Sequence, residues 1–313
     1  MPFDFNAVSA PFRMQPGLRR LAAGTAQLTP NVLGARELAE KLAALVDHPR
    51  DALVAEPGFD AAPALHALMR QSVAGHPSAF AWDGELGFDA DQLGWSIRGT
   101  ALRGDGPPEI GACLRALPDT WRLPGLLSLA LAEDFAVIDG ATARIPWLAV
   151  CLPSRWAPED KVGRHFAEVH APVADNALLV GAAGHLARLV TGVDRWERFV
   201  WSIASDPRLM HHPRHVPPTA WPAGLDAAAL AAGASFRTEH QTFIPLPELQ
   251  QALFTIQVES RPLADAIDTP ARAMQLHAAL ASMSDAVLAY RGLGDARERL
   301  LDWLALRAAS TAA

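Results

Sequence analysis

Lysine and tyrosine are nearly missing from this chain. Only Lys41 and Lys161 occur among 313 residues, and Tyr290 stands alone beside nine tryptophans. Alanine, arginine and proline are abundant instead, a coding bias that says little about function. Cysteine is scarce as well: Cys113 and Cys151 cannot build a disulfide framework or a four-thiolate metal site. Positive charge is not in excess. The formal net charge of −7 argues against an electrostatic grip on nucleic acid or an anionic membrane. No apolar run reaches the roughly 18 residues of a membrane span, and Met1–Ala10 lacks the basic-then-apolar layout of a signal peptide. Glycine patterns of the G-x-G-x-x-G or Walker type, a G-x-S-x-G elbow and H-E-x-x-H are all absent, so no nucleotide or familiar hydrolase chemistry is written here. The expectation left is a cytoplasmic enzyme or binding protein.

Half the residues are hydrophobic and 19% are charged, the balance of a globular protein with a sizeable core. The length allows one large domain or two modest ones. The segment through Leu33 reads as irregular, punctuated by Pro11, Pro16, Gly17 and Pro30. Leu38, Leu42 and Leu45 recur at helical spacing, with Glu37 and Lys41 as an i,i+4 pair. A second helix follows Asp60, with Pro63 in its first turn and Leu65 and Met69 inward. The period then changes. Asp134–Ile138 and Ile145–Leu152 read as a hairpin around Asp139-Gly140, and Phe199–Ile203 as a strand. Ser235–Leu246 and Ala252–Ser260 form the clearest pair, turning at Pro247. Ala174–Leu189 reads as one helix with Leu178, Leu179, Leu186 and Leu189 inward, and helices over Ala271–Leu288 and Asp295–Arg307 close the chain. Helices, antiparallel strands interrupted by a helix, then helices make an α+β protein.

Three clusters carry candidate chemistry. His165 and His170 follow the dense segment from Pro153 to Gly163. Five residues apart, they diverge by about 140° on a continuous helix, so they are poorly placed to share one metal. One of them alone as an axial ligand to haem iron is easier, though on residues alone each reads as a capping or packing histidine. In Phe236–Phe243, period two puts Arg237, Glu239 and Gln241 on one face, with Phe236, Thr238, His240 and Thr242 on the other. The polar face suits either solvent or a polar cavity where Arg binds an anion and Glu an amine. His211-His212-Pro213-Arg214-His215 lies among prolines and reads as a solvated loop rather than a metal cluster. His277 reads as a boundary residue of its helix, and Arg19-Arg20 is too short for a nucleic-acid patch.

Taken in order, several short motifs resemble the haem-dependent oxidative N-demethylase family. They run from Phe12-Arg13-Met14 and Gly17-Leu18 through Glu133-Asp134 to Leu152-Pro153-Ser154-Arg155-Trp156 with Lys161 and Gly163. His170-Ala171-Pro172-Val173, Arg198 and Trp201 follow, then Arg237–Phe243 with Leu246-Pro247, and Leu253-Phe254-Thr255-Ile256. The resemblance covers roughly Phe12 to Arg261. It implies a single PAS-like domain over 1–313, whose antiparallel sheet carries helical additions at about 1–120 and about 264–313.

The same resemblance implies haem b held by His170, with Arg198, Arg237, His240 and Trp156 beside the cofactor and Glu239, Gln241 and Lys161 as catalytic groups. The implied reaction is oxidative N-demethylation of a small, dimethylamine-like amine with O2. Electrons would come from a separate flavin and iron–sulfur reductase, because the chain is expected to have no room for those modules and its two cysteines cannot hold a cluster. Two departures concern the substrate, His240 where the family usually has arginine and Val200 in place of an asparagine, while the extra histidine His165 is a competing ligand or a second axial one. A haem-binding gas sensor without turnover, or a haem-free relative binding another small molecule, are the alternatives.

Overall fold

The structure is a computed structural model and describes residues 3–310. Its described strands are β1 (Arg19–Arg20), β2 (Leu53–Ala55), β3 (Phe80–Trp82), β4 (Phe88–Ala90), β5 (Trp95–Arg98), β6 (Ala101–Gly104), β7 (Glu133–Asp139), β8 (Arg144–Ala149), β9 (Trp196–Ala204), β10 (Ser235–Leu246) and β11 (Gln251–Pro262). They form a seven-strand sheet in the order β1-β9-β10-β11-β7-β8-β2 and a four-strand meander, β3 to β6, and every pairing is antiparallel. With thirteen α-helices beside them among the described residues, the protein is α+β as expected. The five central strands lie in the order 2-1-5-4-3, counted from β7. The meander occupies part of the N-terminal region expected to be helical.

β10 and β11 pair in register along twelve residues, from Ser235 opposite Pro262 to Leu246 opposite Gln251. The pleat sends alternate side chains to opposite faces. One face carries Arg237, Glu239, Gln241 and Phe243 together with Phe254 and Ile256. The other carries Leu253 and Thr255, both fully buried. This second face packs on the main core, built from helices Arg36–Asp47, Ala62–Gly75, Pro108–Ala116 and Asp119–Ala130. Leu45, Leu68, Met69 and Leu126 are lost to solvent there, each worth about 1.5–3 kcal/mol of burial.

Lys41 corrects the reading of its helix. It makes no pair with Glu37. Its side chain is 0% exposed and its Nζ lies 3.0 Å from Asp134 Oδ1 at the start of β7. It also donates to the carbonyls of Leu131 at 3.0 Å and Glu133 at 2.6 Å. The stem packs inward with Leu38 and Leu45 because a carboxylate and two carbonyls wait at its end.

Two expected helices are broken. The residues read as Ala174–Leu189 form Ala177–Gly181 and Ala183–Val190, and Leu178 points outward at 57% exposure. The penultimate helix stops at Ala281, and Ser284 caps a new one, Asp285–Tyr290, by accepting the Val287 N–H at 3.2 Å. With Arg297–Ala309 these helices cover Trp201, Ile203 and Phe236 at one end of the sheet. Arg19-Arg20 forms an edge strand against β9, where Arg19 pairs with Glu197 at 2.9 Å. Among the described residues no helix is long and apolar enough to cross a membrane.

Candidate functional site

The sheet face opposite the main core is not covered tightly. Between it and the connection from β8 to β9 lies a cavity of about 360 Å³, within the range of small-molecule sites. Its walls are largely apolar: Ala136, Ile138, Leu148, Phe254 and Ile256 from the sheet, and Phe166, Val169, Leu186 and Val190 from the helices opposite. Period two decides which polar groups enter. Arg198 on β9 stands opposite Gln241 on β10, with Glu239 and Arg237 two and four residues along, and all four line the cavity. The polar face of β10 therefore faces a cavity, not bulk solvent.

His170 ends the short helix Phe166–His170 and lines the same cavity. Its Nδ1 stands 2.8 Å from the Phe166 carbonyl oxygen. A carbonyl only accepts, so Nδ1 carries the proton and Nε2 keeps its lone pair. Burial, opposed by that hydrogen bond, pushes the imidazole down to about 4, so it is neutral at ordinary pH. His165, the rival, is spent as the helix N-cap: its Nδ1 accepts the Ala167 N–H at 3.1 Å, and Glu168 answers its own N–H at 2.8 Å. It does not line the cavity.

Arg198 has no hydrogen-bond or ion-pair partner among the described residues, and its Nε is buried unpaired. Burial holds its guanidinium below the usual arginine range, with Glu239 opposing. Arg237 differs. It donates to Ser154 Oγ at 2.8 and 3.0 Å and to the carbonyls of Leu209 at 2.7 Å and Arg208 at 3.1 Å, so its fork ties two loops to the cavity wall. Ser154 also donates to Glu239 Oε1, and Gln241 Nε2 donates to Glu239 Oε2 at 2.5 Å. Lys161 donates to the Val169 carbonyl at 3.1 Å, and burial lowers its ammonium. Trp156 completes this side of the wall.

One expected cofactor neighbour is elsewhere. His240 lies on the opposite face of β10, where its Nε2 meets Glu197 Oε2 at 2.8 Å and its ring stacks on Phe199 at 4.5 Å. An odd offset from Glu239 forces this placement. The histidine-rich segment is also corrected: His211 and His212 are buried, not solvated. His211 lines the cavity, and its Nε2 has no hydrogen-bond partner. Burial first, then Arg237, pushes it down to about 4. Arg291 was not singled out by sequence reasoning either. It reaches the cavity from the C-terminal helices, donating to the Trp201 carbonyl and lying over Phe12 at 4.7 Å. No local pattern announces it.

A sequence model of the family described as haem-dependent oxidative N-demethylase, alpha subunit-like, matches residues 35–301. The chain belongs to this family. The match begins after Phe12-Arg13-Met14 and Gly17-Leu18 and extends past Arg261 through the C-terminal helices. The residues present fit the haem that the family description names. An imidazole with a free Nε2, an arginine without a protein partner and two apolar walls suit an amphiphilic iron macrocycle with carboxylate tails.

Proposed function

We propose that this chain binds haem b through His170 Nε2 and oxidatively N-demethylates a small alkylamine. The observation that carries the reading is one cavity holding a neutral histidine with a free Nε2, an unpaired Arg198 and the Glu239 carboxylate. Haem, when bound, supplies the redox chemistry with O2. Overall, O2, two electrons and two protons convert the N-methylamine to the demethylated amine, formaldehyde and water. The electrons come from a separate flavin and iron–sulfur reductase. The family's alpha-subunit description supports an assembly of more than one component. The central strand order supports the PAS-like reading of a single domain with terminal additions, and we place the protein in the cytoplasm.

Each residue then has a task. The Phe166 carbonyl orients the His170 ring and makes Nε2 a better donor. Arg198 pairs with a carboxylate of the cofactor, which relieves the cost of an unpaired buried cation. Arg237 holds Ser154 in place, and Ser154 and Gln241 fix the two oxygens of Glu239. That carboxylate binds and orients an alkylammonium ion. Lys161 and Trp156 close the side of the cavity and keep water from the amine. The test is O2 consumption with an artificial reductant, dependent on added dimethylamine and matched by formaldehyde. A haem-loaded chain that turns over no amine would leave the gas-binding alternative instead.

A further inference from the structure

The outer side of the His211–His215 segment carries a second constellation. His212 and His215 point away from the cavity toward Asp51, in the short helix Pro49–Ala52 that precedes β2. His48, Asp51 and His215 offer one donor atom each within 4.8 Å of one another. His215 Nε2 meets Asp51 Oδ2 at 2.7 Å. The rings of His48 and His215 lie parallel, 3.5 Å apart at 2°. The His48 side chain has no hydrogen-bond partner among the described residues, although its ring is fixed by stacking.

The neighbours separate ligands from supports. His212 Nδ1 accepts the Arg214 N–H at 3.2 Å, so its Nε2 carries the proton and donates to Glu159 Oε2 at 3.0 Å. That leaves neither ring nitrogen of His212 free. Glu159 Oε1 is taken by Arg214, which also grips Asp160 at 2.9 Å. His212 thus has both ring nitrogens engaged and Glu159 both oxygens, whereas His215 spends only Nε2, in its bond to Asp51, and the His48 ring makes no hydrogen bond among the described residues.

We propose that His48, Asp51 and His215 form a binding site for a divalent transition metal of the zinc class, distinct from the haem cavity. Two imidazoles and one carboxylate are a zinc-type donor set. Adjacent ligands of tetrahedral zinc stand about 3.4 Å apart, given bonds of about 2.0–2.1 Å. Reaching that spacing requires the stacked, partly buried His48 and His215 rings to turn out of parallel, so that their lone pairs converge beside Asp51. Binding would replace the His215–Asp51 hydrogen bond with bonds to the ion. The ion would tie the 211–215 segment, whose His211 lines the cavity, to the helix entering the sheet.

The experiment is a zinc titration of the haem-loaded full chain against a chromophoric chelator, with metal content per chain measured afterwards. The expected result is about one zinc per wild-type chain and a rise in Tm that a chelator reverses. In His48→Ala and His215→Ala, affinity should drop more than tenfold and the Tm rise should vanish, while His185→Ala behaves as wild type. His48→Ala removes no hydrogen bond, so it keeps the test valid even if His215→Ala folds poorly. Zinc bound equally well by His48→Ala, or no zinc retained by wild type against the chelator, would overturn the assignment.

Discussion

His170 and Phe166 are joined by a single hydrogen bond of 2.8 Å, one helical turn apart, and that bond decides which imidazole nitrogen faces the cavity. The site rests on this relationship. A donor nitrogen with a fixed tautomer stands where the sheet leaves space. Of the other histidines nearby, His165 is occupied in capping the same helix, and His211 lines the cavity from a separate segment with its own Nε2 unpartnered.

Arg198 is expected to separate stability from cofactor affinity. Its side chain makes no hydrogen bond or ion pair among the described residues that its loss would break, and its burial without such a partner is a cost. Arg198→Met should weaken haem binding more than tenfold while the haem-free chain melts at the same temperature or higher. Equal haem affinity in the variant would remove Arg198 from the cofactor's neighbourhood.

Glu239→Gln should leave the haem spectrum unchanged and weaken amine binding. A charge-assisted bond is worth about 1.5–3 kcal/mol, or roughly ten- to a hundredfold in affinity. Amine-induced spectral shifts and the KM for amine measure the effect. A loss of haem in this variant would instead place Glu239 against the cofactor.

Lys41→Met should destabilise the protein by about 3–5 kcal/mol, because Asp134 would stay buried without its cation. Denaturant midpoints of both proteins test this. A variant within about 1 kcal/mol of wild type would show that Asp134 finds another partner.

Acid should destabilise the haem-free chain partly through His211. Its folded-state pKa is about 4, below the unfolded value of about 6.5. Between those values the unfolded chain binds more protons, so stability is fully present above about pH 6.5 and is lost as pH falls toward 4. At about 1.4 kcal/mol per unit this amounts to roughly 3 kcal/mol. Denaturation at pH 7.5 and 5 should show a smaller pH slope in His211→Gln. An unchanged slope would show that His211 does not carry the effect.

The long strands were legible because they alternate over many residues, as in β11, where Ala252, Phe254, Ile256 and Val258 share one face and Leu253, Thr255 and Gln257 the other. The meander from Phe80 to Gly104 was not, since strands of three or four residues hold too few alternations to register. Lys41 was misread because Glu37 supplies a plausible surface partner in sequence, while Asp134 lies on a distant strand. The His211–His215 segment was misread for the same reason. Prolines mark a loop, but the groups that draw its histidines inward, Asp51 and Glu159, come from remote segments. The arginine–glutamate–glutamine face of β10 was read correctly as a set, and only the cavity itself could settle what it faces.

The most direct measurement is the ultraviolet–visible spectrum of the protein produced with haem supply, beside His170→Ala and His211→Ala. The account expects a strong Soret band in wild type that collapses in His170→Ala and persists in His211→Ala. An undiminished band in His170→Ala would contradict it.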